Sequence, residues 1–208
     1  MVATAAPGIK DILILGKVKQ LERAGVADLI VLDAPAAGHA ITFLQSASAL
    51  LDTVRVGPIN AQARDVLEML TDHDRCRVVL VALAEETPVN ELIDTAFSLE
   101  DRVGVGLGPV VVNGLYDDLP GLFTDPVEAA VAAGATLRTG EADGLGAAAT
   151  FRADRMALQV TQVDRLADQL PLAQIRLPFL FTTEIGPAEL EVLAERLLAE
   201  VEALPEIV

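Results

Sequence analysis

Four short runs of almost wholly apolar residues constrain this chain more than anything else in its sequence. They are Leu29–Leu32, Val78–Leu83, Gly108–Val112 and Ile175–Phe181. A strand with one face in water alternates apolar and polar side chains, whereas these runs do not alternate. That pattern belongs to strands covered on both faces, as in a parallel sheet between layers of helices. The segments joining the runs are long enough for helical crossovers, which parallel pairing requires. The expected fold is therefore α/β, a three-layer sandwich with a mostly parallel sheet.

The connecting segments carry helical patterns. Ile9, Ile12, Leu13 and Leu21 predict a first helix that Gly25 stops. A second is expected from about Ala40 to Arg55, and a third from Ile59 to Leu70 with Pro58 at its first position. Thr87-Pro88 reads as an N-cap and first-turn pair opening a helix to about Leu99. Asp125-Pro126-Val127-Glu128 resembles a capping box, with Gly134 as its stop. Ala149, Ala153, Met156, Val160, Val163, Ala167 and Leu170 then repeat at spacings of four and three. This seam either packs on the parent domain or offers a groove to a partner. A final helix follows Pro187, with Leu190, Leu193, Leu197 and Val201 on one face and its glutamates in solvent. Together these predict one domain over residues 1–208 with a helical insertion at about 120–172.

Composition removes several function classes. Acidic side chains number 31 against 15 basic ones, for a net charge of −16, and the only lysines are Lys10, Lys17 and Lys19. Nucleic acid is therefore not an expected partner. The single cysteine, Cys76, excludes an intrachain disulfide framework and a cysteine-based zinc site. Asp72-His73-Asp74-Arg75-Cys76 reads as a solvated loop, because zinc ligands normally come from separated elements. The uncharged stretch from Ala34 to Leu51 includes Pro35, Gly38, His39, Gln45 and two serines, a mixture unlike a lipid-facing span. No basic-then-apolar leader is evident, so the expected location is the cytoplasm, without direct membrane insertion.

The strongest chemical signal is Asp33, at the end of the first apolar run and followed by Ala34-Pro35-Ala36-Ala37-Gly38-His39. Open α/β sheets bind ligands outside the carboxyl ends of their strands. An aspartate there can hold a hydrated Mg²⁺, and Gly38 would let a phosphate approach the backbone. The simpler alternative is a carboxylate that caps the following turn. Asn113, ending the third run, is by itself open to the reading of a strand-end turn residue.

The segment Asp28 to His39 resembles the signature of the ArsA family of ATPases, which includes arsenite-pump ATPases and ATPases that target tail-anchored membrane proteins. Ala37 stands where those relatives usually have threonine. The resemblance continues through Val56-Gly57-Pro58-Ile59, Glu85 to Glu91, Val110-Val111-Val112-Asn113 and Leu177-Pro178-Phe179-Leu180. It implies a P-loop NTPase-like fold using ATP and Mg²⁺, dimerisation with itself or a complete homologue, and a client protein or membrane transporter subunit as partner. It also implies roles for particular residues. Asp33 would lie near Mg²⁺, Asp33 to His39, with Gly38, would sense the γ-phosphate, Asn113 would read the adenine edge, and Phe181 and Thr182 would close over the base.

The family's phosphate loop is missing from these residues. No G-x-x-x-x-G-K-[ST] occurs in the 208 residues; Gly16-Lys17 is followed by Val18, and Asp11 stands where the first glycine belongs. The family's phosphate-loop strand, which would lie beside the run ending at Asp33, is missing with it. The expectation is the carboxyl-terminal part of an ArsA-like ATPase, inactive by itself. The alternative is a non-catalytic pseudo-ATPase that pairs with a complete homologue.

Overall fold

A computed structural model describes residues 9–205. The fold is α/β, and every strand pairing is parallel. The chain divides into two compact units. One comprises residues 1–80 and 90–109, the other residues 81–89 and 110–208.

The first unit is built on three helices, α1 (Ile9–Arg23), α2 (Ala37–Thr53) and α3 (Pro58–Thr71). Its core joins Ile12 and Leu15 of α1, Phe43, Leu44 and Ala47 of α2, and Ala63, Val66 and Leu70 of α3. The carboxyl-terminal part of α4 (Glu86–Val103) adds Leu99 and Val103. Beside them, β1 (Arg77–Val78) pairs with β3 (Gly106–Leu107). On α1 the inward face is Ile12, Leu15 and Lys19; Leu13, expected on that face, is 60% exposed. Gly16-Lys17 lies within α1 rather than in a loop, and Gly16 lets Gln62 of α3 approach the α1 backbone.

Polar ties hold this helical group as well. Lys19, buried despite its charge, donates to Asp65 at 2.9 Å, and Arg23 donates to the same carboxylate at 3.3 Å. Arg75 donates to both oxygens of Glu22 at 3.0 Å. The Lys19 hydrogen bond holds the Asp65 carboxyl below its ordinary 3.8, and the Arg75 hydrogen bond holds Glu22 below 4.5. The half-buried Cys76 is shifted oppositely, its thiol pushed up by burial.

The second unit contains a three-stranded sheet in the order β2 (Val81–Leu83), β4 (Val110–Leu115), β5 (Gln174–Pro178). Val111 is opposite Val81 on one side and Ile175 on the other. Helix α5 (Pro126–Ala132) starts as expected, with Asp125 accepting from the amides of Val127 and Glu128. Helix α6 (Glu141–Gln169) packs on β4, and α7 (Pro187–Glu202) packs on β5. Glu189 accepts from the Gly186 amide, and Glu200 accepts from the Arg176 amide of β5. These two are structural ties rather than members of a purely solvated face.

Several expected boundaries move. The run Val78–Leu83 is divided between β1 and β2, and Thr87-Pro88 lies inside the first turn of α4 instead of capping it. The face of α7 expected to be apolar keeps Leu190 and Val201 about half exposed. The largest difference is Leu29–Leu32, which makes no strand pairing among the described residues. It has no regular secondary structure, with Leu29 78% and Val31 83% exposed. A β-branched run has the propensity for a strand, but a strand exists only through a neighbour. Among the described residues, no helix is long and apolar enough to cross a membrane.

Leu15→Ala is expected to cost about 2–5 kcal/mol in chemical denaturation, and Leu13→Ala less than about 1 kcal/mol. Equal costs would refute the inward face assigned to α1. Both lowered carboxyls contribute stability that is present above their ordinary values and lost as pH falls through the lower folded values. Asp65→Asn should therefore flatten the decline in urea midpoint below about pH 4.

Candidate functional site

Asn113 lies inside β4, not after it, and the strand changes character there. Gly114 has φ +72°, and the β4–β5 register shifts between Val112 and Leu115. A Cβ at Gly114 would come within 3.3 Å of the Leu83 side chain and 3.8 Å of the Phe179 ring. Positive φ and crowding together make glycine the fitting residue at this bulge. The half-buried Asn113 is thus held at the carboxyl end of a parallel strand, opposite Leu83.

Past the bulge, β4 loses its neighbour on the β2 side. The chain turns away after Leu83, where the Glu85 amide donates to the Leu83 carbonyl at 2.8 Å. The Gly114 carbonyl and Tyr116 amide then need other partners. Gln159 of α6 supplies both: its Nε2 donates to Gly114 O at 2.9 Å, and its Oε1 accepts from Tyr116 N at 2.9 Å. A parallel strand would bond this same pair of groups. On the other side, the Phe179 amide donates to the Leu115 carbonyl at 2.7 Å.

Sequence reasoning missed Gln159 because it expected Val160 on the buried seam. The structure buries Gln159, Gln162, Val163, Leu166 and Leu170, and leaves Val160 59% exposed. A seven-residue repeat drifts around a 3.6-residue helix, and the buried amide takes the position that can satisfy the strand end.

Beside the bulge stand three aromatic rings. Tyr116 lies 5.2 Å from both Phe179 and Phe181 between centroids, and Phe179 lies 4.8 Å from Phe181. The loop after β5 therefore carries Phe181 to the strand-end cluster, with 66% of it exposed. Thr182 is used by that loop itself: its hydroxyl donates to the Glu184 carbonyl at 2.9 Å and accepts from the Glu184 amide at 3.3 Å. Asn113, Phe181 and Thr182 belong to the second unit.

Asp33, Gly38 and His39 belong to the first unit. Asp33 lies exposed in the irregular segment ahead of α2, so no strand among the described residues delivers it. Gly38 and His39 form the first turn of α2, where the His39 amide donates to Ala36 O at 2.8 Å. A Cβ at Gly38 would meet nothing within 4 Å, so packing does not demand glycine there. The open space leaves a helix N-terminus approachable, a geometry that suits an anion. Among the described residues, no group of three or more His, Cys, Asp or Glu could hold a metal ion. A lone carboxylate still fits Mg²⁺, which usually keeps several waters and takes oxygens from substrate phosphates.

No family model matches the chain. Curated relatives do. ATPase BagA of Mycobacterium tuberculosis is 34% identical over 116 residues, which cover 53% of this chain and 34% of the relative. The Mycobacterium bovis protein named "Putative ATPase Mb3704" matches with the same identity and coverage. The aligned region thus spans about a third of these relatives' length.

Gln159→Leu is expected to strand two backbone groups, costing about 1–3 kcal/mol for each one left buried and unpaired. Gln159→Glu keeps the acceptor for Tyr116 and should fall between Leu and the parent in urea denaturation. Equal stability for all three would refute the bridging role.

Proposed function

We propose that this chain carries two parts of an ArsA-like ATPase, the base-reading strand end and the Mg²⁺-side switch. The observation that carries the reading is the bulge at Asn113-Gly114, which holds an amide side chain at the carboxyl end of a parallel strand, next to exposed aromatic surface. The 34% identity to proteins named as ATPases supports it.

Asn113 offers one donor and one acceptor, the pair that an adenine edge can meet. The exposed ring of Phe181 gives the base an apolar surface. At the first turn of α2, Gly38 and His39 would follow the γ-phosphate, while Asp33 would hold Mg²⁺ through water or directly. When bound, Mg²⁺ would neutralise charge developing on the phosphates. The phosphate cradle is not among these 208 residues; in this reading other polypeptide contributes it, and turnover belongs to that assembly. Cargo transport or client handling in the cytoplasm would be driven by the same cycle.

The missing G-x-x-x-x-G-K-[ST] favours one second reading, a pseudo-ATPase that pairs with a complete homologue and does no chemistry itself. Single substitutions in the assembled ATPase separate the two. Asp33→Asn should reduce Mg-ATP turnover at least about a hundredfold with little change in nucleotide affinity. Asn113→Ala should raise KM for ATP and narrow its preference over GTP, since one unpaired amide sets that choice. Normal turnover in both variants would leave the pseudo-ATPase reading standing.

A further inference from the structure

Arg152 of α6 lies over the aromatic cluster. Its guanidinium carbon is 4.9 Å from the Phe181 centroid and 5.2 Å from that of Tyr116. Its Nη2 donates to the Asp117 carbonyl at 2.8 Å, just beyond the backbone that Gln159 holds. Its buried Nε has no hydrogen-bond partner among the described residues. A buried guanidinium N–H without an acceptor is costly unless aromatic faces offset it.

The loop bearing Phe181 has few other anchors. Its main polar bonds are internal, from the Thr182 amide to Leu180 O and between Thr182 and Glu184. Phe181 itself is mostly in solvent. Two rings and one cation pack against it, and of these Arg152 comes from a helix.

We propose that Arg152 is a positioning residue: by bridging Tyr116 and Phe181, it sets the loop after β5 against the strand end that carries Asn113. The importance of that placement for a base rests on the function proposed above. Arg152 acts through Phe181 and takes no part in chemistry. Lysine keeps the charge but loses the flat stacking surface, so Arg152→Lys should be only partly effective.

Tyr116 is the chain's only tyrosine and there is no tryptophan, so tyrosine fluorescence and near-ultraviolet dichroism report on this cluster. In the full chain, Arg152→Ala should change the tyrosine signal while far-ultraviolet dichroism stays constant. Chymotryptic cleavage after Phe179 or Phe181 should become about threefold to tenfold faster, in line with losing a cation–π contact. Arg152→Lys should recover part of both effects.

Saturation-transfer NMR with AMP adds the base-specific readout. Transfer to the adenine protons should weaken in Arg152→Ala relative to the ribose protons, a change that general loss of stability would not produce. An unchanged tyrosine signal and cleavage rate in Arg152→Ala would overturn the positioning role. If AMP shows no transfer with the parent chain while Arg152→Ala still loosens the loop, the positioning role stands and the base-site reading fails.

Discussion

The backbone of β4 cannot be left unpaired, and much of the second unit follows from that requirement. At Val111 and Val112 the strand has β2 on one side and β5 on the other. At Gly114 the left-handed bulge breaks the ladder, and β2 has already turned away. A side-chain amide then replaces the missing strand. Choosing Gln159 for that task fixes which face of α6 turns inward, and that face in turn brings Arg152 over Tyr116. One hydrogen-bond demand at a strand end thus orients a helix of 29 residues.

Local chemistry was the legible part of the sequence. Continuous apolar runs told of parallel pairing, and Pro58 and Asp125 marked helix starts. Each of these depends on a residue and its immediate neighbours. Features that need a distant partner did not show. Leu29–Leu32 has ample strand propensity, yet propensity cannot supply a neighbour, and the segment stays unpaired among the described residues. Lys19 is buried against Asp65, a partner 46 positions away. Gln159 likewise finds its partners far away in sequence, in the backbone groups of Gly114 and Tyr116.

The candidate site divides along the same line. Asn113 and Phe181 were chosen by resemblance, and the geometry adds Tyr116 and Arg152 beside Phe181 and Gln159 on the backbone that follows Asn113. Around Asp33 the fold adds little. That carboxylate stands on irregular chain, and Gly38 has room that packing does not use. The first group is held by hydrogen bonds and rings, whereas the second stands largely exposed.

The bare stretch from Leu29 to Leu32 has a bearing on handling the protein in the test tube. Oily, exposed and without a strand mate among the described residues, it is the kind of tract on which other chains accrete. Colloidal repulsion from sixteen excess negative charges opposes that stickiness. The balance will tip as salt screens the repulsion or as the medium nears the isoelectric point of about 4.3. Dilute, low-salt, mildly alkaline buffer is therefore where the chain keeps its solubility.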